Sequence, residues 1–199
     1  IKKYYGRNSD VIYCPIDCNI FSPKSLKDDH FLIVSRLIKW KKIDHAIEAF
    51  NKIGYRLKII GTGEEEQALK NRANPNIEFM GYVNDKKLAE EYAKARAVIF
   101  TPHLEYGLIP LEANASGTPV IAYGYGGITE TMIPHNTQSP NKEIATAIFY
   151  YKQTAESLIN AIEEFEKTNF EASDLVNYAK KWDIPPFKSN FRSFINNNK

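Results

Sequence analysis

The feature that most constrains this chain is an alternation. Apolar runs of strand length recur at "FLIVSRL" (Phe31 to Leu37), "RLKIIG", "NIEFMGYV", "AVIFTP", "TPVIAY" and "AIFYY", and "VIYC" (Val11 to Cys14) reads as a further short strand. The run from Phe31 is apolar at successive positions, as a strand covered on both faces must be. Segments of helical period lie between the runs. "IDHAIEAFNKI" puts Ile43, Ala46, Ile47, Phe50 and Ile53 on one face. "EEEQALKNRA" opens on acids, which favour a helix start. "NDKKLAEEYAKA" opens on a cap at Asn84 or Asp85. "IPLEANAS" begins near Pro110 and closes at Gly117. Three helical segments fill the chain from Ala155 onward. Strand–helix alternation predicts an α/β fold: a doubly wound parallel sheet with helices on both faces. Such sheets bind ligands beyond the carboxyl ends of their strands, where the strand order reverses.

Composition narrows the partners. With 43% hydrophobic and 13% aromatic residues the chain holds a real core, which excludes disorder. A formal charge of +2, from 26 basic and 24 acidic residues, points to neither nucleic acid nor an anionic membrane surface. Cys14 and Cys18 form C-x3-C without a second ligand pair, so no zinc site is expected and the thiols read as reduced, cytoplasmic ones. No signal peptide and no apolar run of about 20 residues is visible, so no transmembrane segment is expected. The chain opens on Ile1 rather than Met and reads as a piece of a longer protein.

Four stretches carry candidate chemistry, each at the carboxyl end of an expected strand. Arg36 and Lys41 follow the first buried strand in "SRLIKWKKID". A guanidinium forks onto phosphate oxygens and a lysine adds a point charge, which suits a diphosphate, although a solvated basic loop has the same spelling. Gly61 and Gly63 in "IIGTGEEE" make half a dinucleotide fingerprint, consistent with a tight turn or with close approach to a nucleotide. In "TPHLEYGLIPLEANASGTPVIAYGYGG", Gly107, Leu108 and Ile109 open a helix whose free N–H groups face a ligand. Glu112 lies in that helix's first turns, placed either for a ribose diol or simply for the helix dipole. Gly124, Gly126 and Gly127 give a second pliable turn.

These stretches, in this order, resemble the C-terminal donor-binding half of GT-B glycosyltransferases, a Rossmann-like domain, and above all the retaining family four. The resemblance runs from about Tyr4 to Ile162. It implies that Arg36 and Lys41 hold the donor diphosphate, and that Glu112, as the second acid of an E-x7-E motif, binds the nucleotide ribose. Gly107, Leu108 and Ile109 match the phosphate turn, and Gly81, Tyr82 and Val83 match the wall of the nucleobase pocket. The first acid of the motif departs from the pattern. Eight positions before Glu112 stands Leu104, and Glu105 gives E-x6-E. Either Leu104 replaces the acid or the loop is one residue short, with Glu105 as the counterpart beside the donor sugar; the second is favoured.

The resemblance further implies a nucleotide-sugar donor-binding domain over residues 1–182, with residues 183–199 packing toward an N-terminal domain that this chain lacks. It implies a retaining hexosyltransferase that needs no metal or other cofactor. Mannose is the favoured sugar, with GDP-mannose ahead of UDP-sugars, and the acceptor is a glycan or a lipid-linked acceptor. The expected location is cytoplasmic, with possible peripheral contact at the inner face of the membrane. A nucleotide-sugar epimerase of the same architecture and a non-catalytic nucleotide-sugar-binding module are the alternatives.

Overall fold

The computed structural model describes residues 1–24, 26–104, 106–135 and 144–197. In chain order the elements are α1 (Lys2–Tyr5), β1 (Phe31–Val34), α2 (Ile43–Ile53), β2 (Leu57–Ile60), α3 (Glu66–Arg72), β3 (Ile77–Gly81), α4 (Asp85–Lys94) and β4 (Val98–Phe100). Then come α5 (Ile109–Ala115), β5 (Val120–Tyr123), α6 (Ile128–Thr131), β6 (Ala147–Tyr150), α7 (Ala155–Phe165), α8 (Ala172–Ala179) and α9 (Ile184–Asn197). The six strands form one sheet in the order β3-β2-β1-β4-β5-β6, and every pairing is parallel. The order reverses between β1 and β4, so the crevice expected of this topology opens above those two strands.

The strands alternate their side chains between two cores. Phe31, Ile33, Leu57, Ile59, Ile99, Ile121 and Ile148 pack with α2 and α7 through Ile47, Phe50, Leu158 and Ile162. Leu32, Ile60, Val98, Phe100, Val120 and Ala122 pack on the other face with Tyr92 of α4 and Leu111 of α5. Leu32, Ile47, Phe50, Ile121 and Leu111 are all fully buried. A period of two along the strands, with both sets largely apolar, forces helices onto both faces of the sheet.

Helix ends follow local chemistry. The side chain of Asn84 accepts from the Lys87 N–H and starts α4, and Thr154 caps α7 through the Ser157 N–H. Gly54 closes α2 in the left-handed conformation, its N–H returned to the Phe50 carbonyl.

One expected strand is absent. Val11 to Cys14 forms no strand and no helix; it runs as an irregular strap. Ile16 makes a single parallel bridge to Asp183, and its N–H donates to the Trp182 carbonyl at 2.9 Å. The strap is held by side chains instead. Tyr13 stacks on Tyr106 with ring centroids 5.5 Å apart and meets Trp182 edge-on at 5.1 Å. The Tyr13 hydroxyl donates to Glu130, and the Tyr106 hydroxyl donates to the Cys14 carbonyl at 2.7 Å.

Candidate functional site

Four loops meet above adjacent strands β2, β1, β4 and β5, and each holds residues singled out from the sequence. The turn after β1 carries Arg36, which is exposed, and then Lys39–Lys41 as one turn of 3-10 helix. The turn is tied to its neighbour on the β2 side: the Leu37 N–H donates to the Thr62 carbonyl and the Glu65 N–H to the Leu37 carbonyl, both at 2.9 Å. This contact explains Gly61 and Gly63. A Cβ on Gly61 would lie 1.9 Å from the Ser35 carbonyl oxygen, and one on Gly63 would lie 2.2 Å from that of Leu37. Gly61 also has a φ of 126°. Their bare backbone is required by the turn that carries Arg36, whatever else the site admits.

The Lys41 ammonium lies 4.2 Å from the centroid of the Trp40 ring. Burial pushes its pKa down, and the neighbouring Arg36 pushes it further. Among the described residues neither Arg36 nor Lys41 forms an ion pair. Two cations therefore share the carboxyl end of β1 beside the switch point, uncompensated by the described part of the fold.

The loop after β4 leads into α5, with Gly107 and Leu108 before it and Ile109 as its first residue. A Cβ on Gly107 would meet the Phe100 ring at 2.9 Å. The first N–H groups of α5 have no partner within the helix. Leu104 bridges Gly126, and the Gly127 N–H donates to the Leu104 carbonyl at 2.7 Å, so the loops after β4 and β5 form one wall. A Cβ on Gly126 would lie 2.4 Å from that carbonyl oxygen. Glu105 lies outside the described residues.

Glu112 sits in the first turn of α5, and its Oε2 accepts from the Tyr92 hydroxyl at 2.8 Å. Burial raises its pKa, the Tyr92 bond pulls it back, and Asp85 adds to the rise; the net displacement is upward. The carboxylate is therefore oriented by a buried donor from α4, a contact that the sequence reading missed. Tyr92 and Glu112 are separated by 20 positions with no local pattern to join them.

Gly81 ends β3, the edge strand two places from β1, and Tyr82 and Val83 follow it. Gly81 has a φ of 65° and Tyr82 is 82% exposed. Val83, by contrast, is half-buried and packs against the core that holds Tyr92 and Leu111. Among the described residues no group of three or more His, Cys, Asp or Glu is placed to hold a metal ion, and no helix is long and apolar enough to cross a membrane.

A 3-2-1-4-5-6 parallel sheet with two cations and an oriented carboxylate at its switch point defines the class: a doubly wound α/β domain of the ligand-binding kind. Residues 19–182 match the family described as glycosyl transferases group 1, and the chain belongs to that family. An uncharacterized glycosyltransferase of Methanocaldococcus jannaschii is 28% identical over 168 residues, covering 78% of this chain and 41% of its own length. A GDP-mannose-dependent alpha-mannosyltransferase of Mycobacterium tuberculosis is 34% identical over 105 residues, 52% of this chain and 28% of its own length. The chain thus spans less than half of these relatives. Among solved structures, sucrose-phosphate synthase of Thermosynechococcus elongatus superposes with a TM-score of 0.78 at 20% identity, covering 94% of this chain and 51% of that one. The HepE protein of Anabaena, in complex with UDP-glucose, gives 0.77 at 19% identity, covering 94% and 57%. Both share the fold.

Proposed function

We propose that this chain is the donor-binding half of a retaining glycosyltransferase. It would move a hexose, mannose before others, from a nucleotide-diphosphate sugar to a glycan or lipid-linked acceptor. The observation that carries the reading is the pair Arg36 and Lys41, neighbouring cations at the switch point with no anionic partner among the described residues. Like charges drawn together at a partly dehydrated site are an arrangement for an anion. A diphosphate matches a forked donor set beside a point charge.

In this reading Arg36 and Lys41 stabilise the negative charge that grows on the leaving diphosphate, aided by the N–H groups near Leu108. They would do without a divalent metal what such a metal does elsewhere. Glu112, aimed by Tyr92, accepts from the ribose hydroxyls. Glu105 approaches the sugar, and the acceptor enters from the part of the protein that this chain does not contain. The preference for GDP-mannose is supported by the likeness to the mycobacterial GDP-mannose-dependent enzyme, with UDP-sugars next.

The test is calorimetric titration of this chain with GDP, UDP and ADP, in buffer containing a chelator. Saturable binding of one nucleotide is expected, weakened by about tenfold or more in Arg36→Ala and in Glu112→Ala, as loss of hydrogen bonds to charged groups predicts. Binding that is unchanged in both variants, or that disappears with the chelator, overturns the reading.

A further inference from the structure

Lys41 closes a 3-10 turn, and the next residue, Lys42, has φ 56° and ψ 39°. Among the described residues it is the one non-glycine residue with positive φ. Left-handed backbone is unfavourable for a residue with a side chain, whose Cβ crowds the following carbonyl oxygen. Such a conformation persists only where its surroundings dictate it.

The surroundings here include one buried hydroxyl. Thr101, directly after β4 and 2% exposed, donates from Oγ1 to the Lys41 carbonyl at 2.6 Å. The Thr101 carbonyl accepts from Gln153 Nε2 at 2.9 Å, so the threonine is itself anchored from the turn before α7. The chain of contacts runs Gln153, Thr101, Lys41, and it crosses the switch point from the β4 side to the β1 side. A buried threonine needs an acceptor, and any carbonyl would satisfy it. This one belongs to the peptide joining a site lysine to a strained residue. The hydrogen bond restrains that peptide, and with it the ψ of Lys41 and the φ of Lys42, from the β4 side.

We propose that Thr101 is a positioning residue for the donor diphosphate: its hydroxyl fixes the Lys41–Lys42 peptide and thereby aims the Lys41 ammonium beside Arg36. This rests on the function proposed above. Thr101 touches no donor atom; it acts through Lys41.

The test compares a nucleoside diphosphate with its monophosphate on this chain, using the base that binds best. Thr101→Val keeps the shape and removes the donor, leaving the Lys41 carbonyl buried without its partner. Diphosphate affinity should fall by about tenfold, the effect of a lost hydrogen bond, while monophosphate affinity changes little. Thr101→Ser should restore it. Adding Lys41→Ala to Thr101→Val should cost no more than Lys41→Ala alone, because residues that act through one another are not additive. Where Thr101→Val does not fold, Thr101→Ala gives the same comparison. Equal loss for both nucleotides, full additivity with Lys41→Ala, or failure of serine to rescue overturns the positioning role and leaves the donor site standing. Diphosphate and monophosphate bound alike by the unsubstituted chain would overturn the proposed function, and this inference with it.

Discussion

Lys58 and Lys41 are both drawn toward the interior, and the fold treats them in opposite ways. Lys58, in the middle of β2, is 15% exposed at its side chain and donates to Glu91 Oε2 at 2.8 Å. Glu91, on α4, is 1% exposed and accepts at 2.8 Å on its other oxygen from Lys87. His30 lies 3.5 Å from the same carboxylate. Lys41, at the open end of the sheet, has a guanidinium for a neighbour and no carboxylate among the described residues. Removing a charge from water costs several kcal/mol unless a partner offsets it. Beneath the sheet's open end the partner is supplied by the chain. At the crevice no described carboxylate supplies it, and on the function proposed above the partner is the donor diphosphate.

Glu91 carries the largest effect. Glu91→Ala should lower the unfolding free energy by roughly 3–5 kcal/mol, the cost of stranding a buried partner. Urea denaturation measures it, and nucleotide affinity of the folded fraction should stay put. The pH dependence has a defined sign. Burial pushes the Glu91 carboxyl up, but the bonded ammonium groups of Lys58 and Lys87 pull it further down, for a net lowering. A depressed acid contributes stability above its unfolded value of 4.5 and loses it as pH falls through the folded value. The loss on acidification should therefore be shallower in Glu91→Ala. A variant as stable as the parent would end the distinction.

Lys27 is a third case: it is half-buried, and among the described residues its partners are neutral acceptors only. Its ammonium donates to the Ala93 carbonyl at 2.9 Å and to Thr118 Oγ1 at 2.6 Å. Burial lowers its pKa from 10.5 to about 8. Between those values the unfolded chain binds the extra proton, so stability rises with pH across that window. Lys27→Met should flatten this rise and add stability at neutral pH, where the charged form is the burdened one. Unfolding curves at pH 7, 9 and 10 decide it, and an unchanged slope in the variant would show that hydrogen bonds to neutral groups satisfy a buried ammonium here.

What the sequence revealed, and what it hid, follows from how far apart the causes lie. The strands from Phe31 onward were legible because a doubly covered strand must be apolar at successive positions, and Asn84 and Gly54 marked helix ends by local hydrogen bonding. Arg36 and Lys41 stood out because they directly follow a buried strand. "VIYC" had strand composition, but its partners are Tyr106, Glu130 and Trp182, more than 90 positions away, and they hold it as a strap. Gly61 and Gly63 read as a tight turn or as close approach to a nucleotide; their immediate neighbour is the backbone of Ser35 to Leu37, which the sequence places more than 20 positions away. Tyr92 and Thr101 had no local signal, since each bonds a residue far away in the chain on another helix or loop.

The smallest effect tests the crevice side of the comparison most directly. Burial and Arg36 hold the Lys41 pKa below 10.5, so in the free chain at alkaline pH part of the Lys41 population has lost its proton. A diphosphate arriving beside it favours the charged form and raises the pKa again. Nucleotide binding should thus draw in a fraction of a proton at alkaline pH, and more of it at pH 9 than at pH 7. Titrations in buffers of different ionisation enthalpy measure that uptake. Lys41→Arg should abolish it, because a guanidinium stays protonated throughout this range. Uptake that persists in Lys41→Arg would assign the proton to another group. Absence of uptake in the parent at pH 9 would mean that the anion does not reach Lys41, and that its displaced pKa reflects burial beside Arg36 and nothing more.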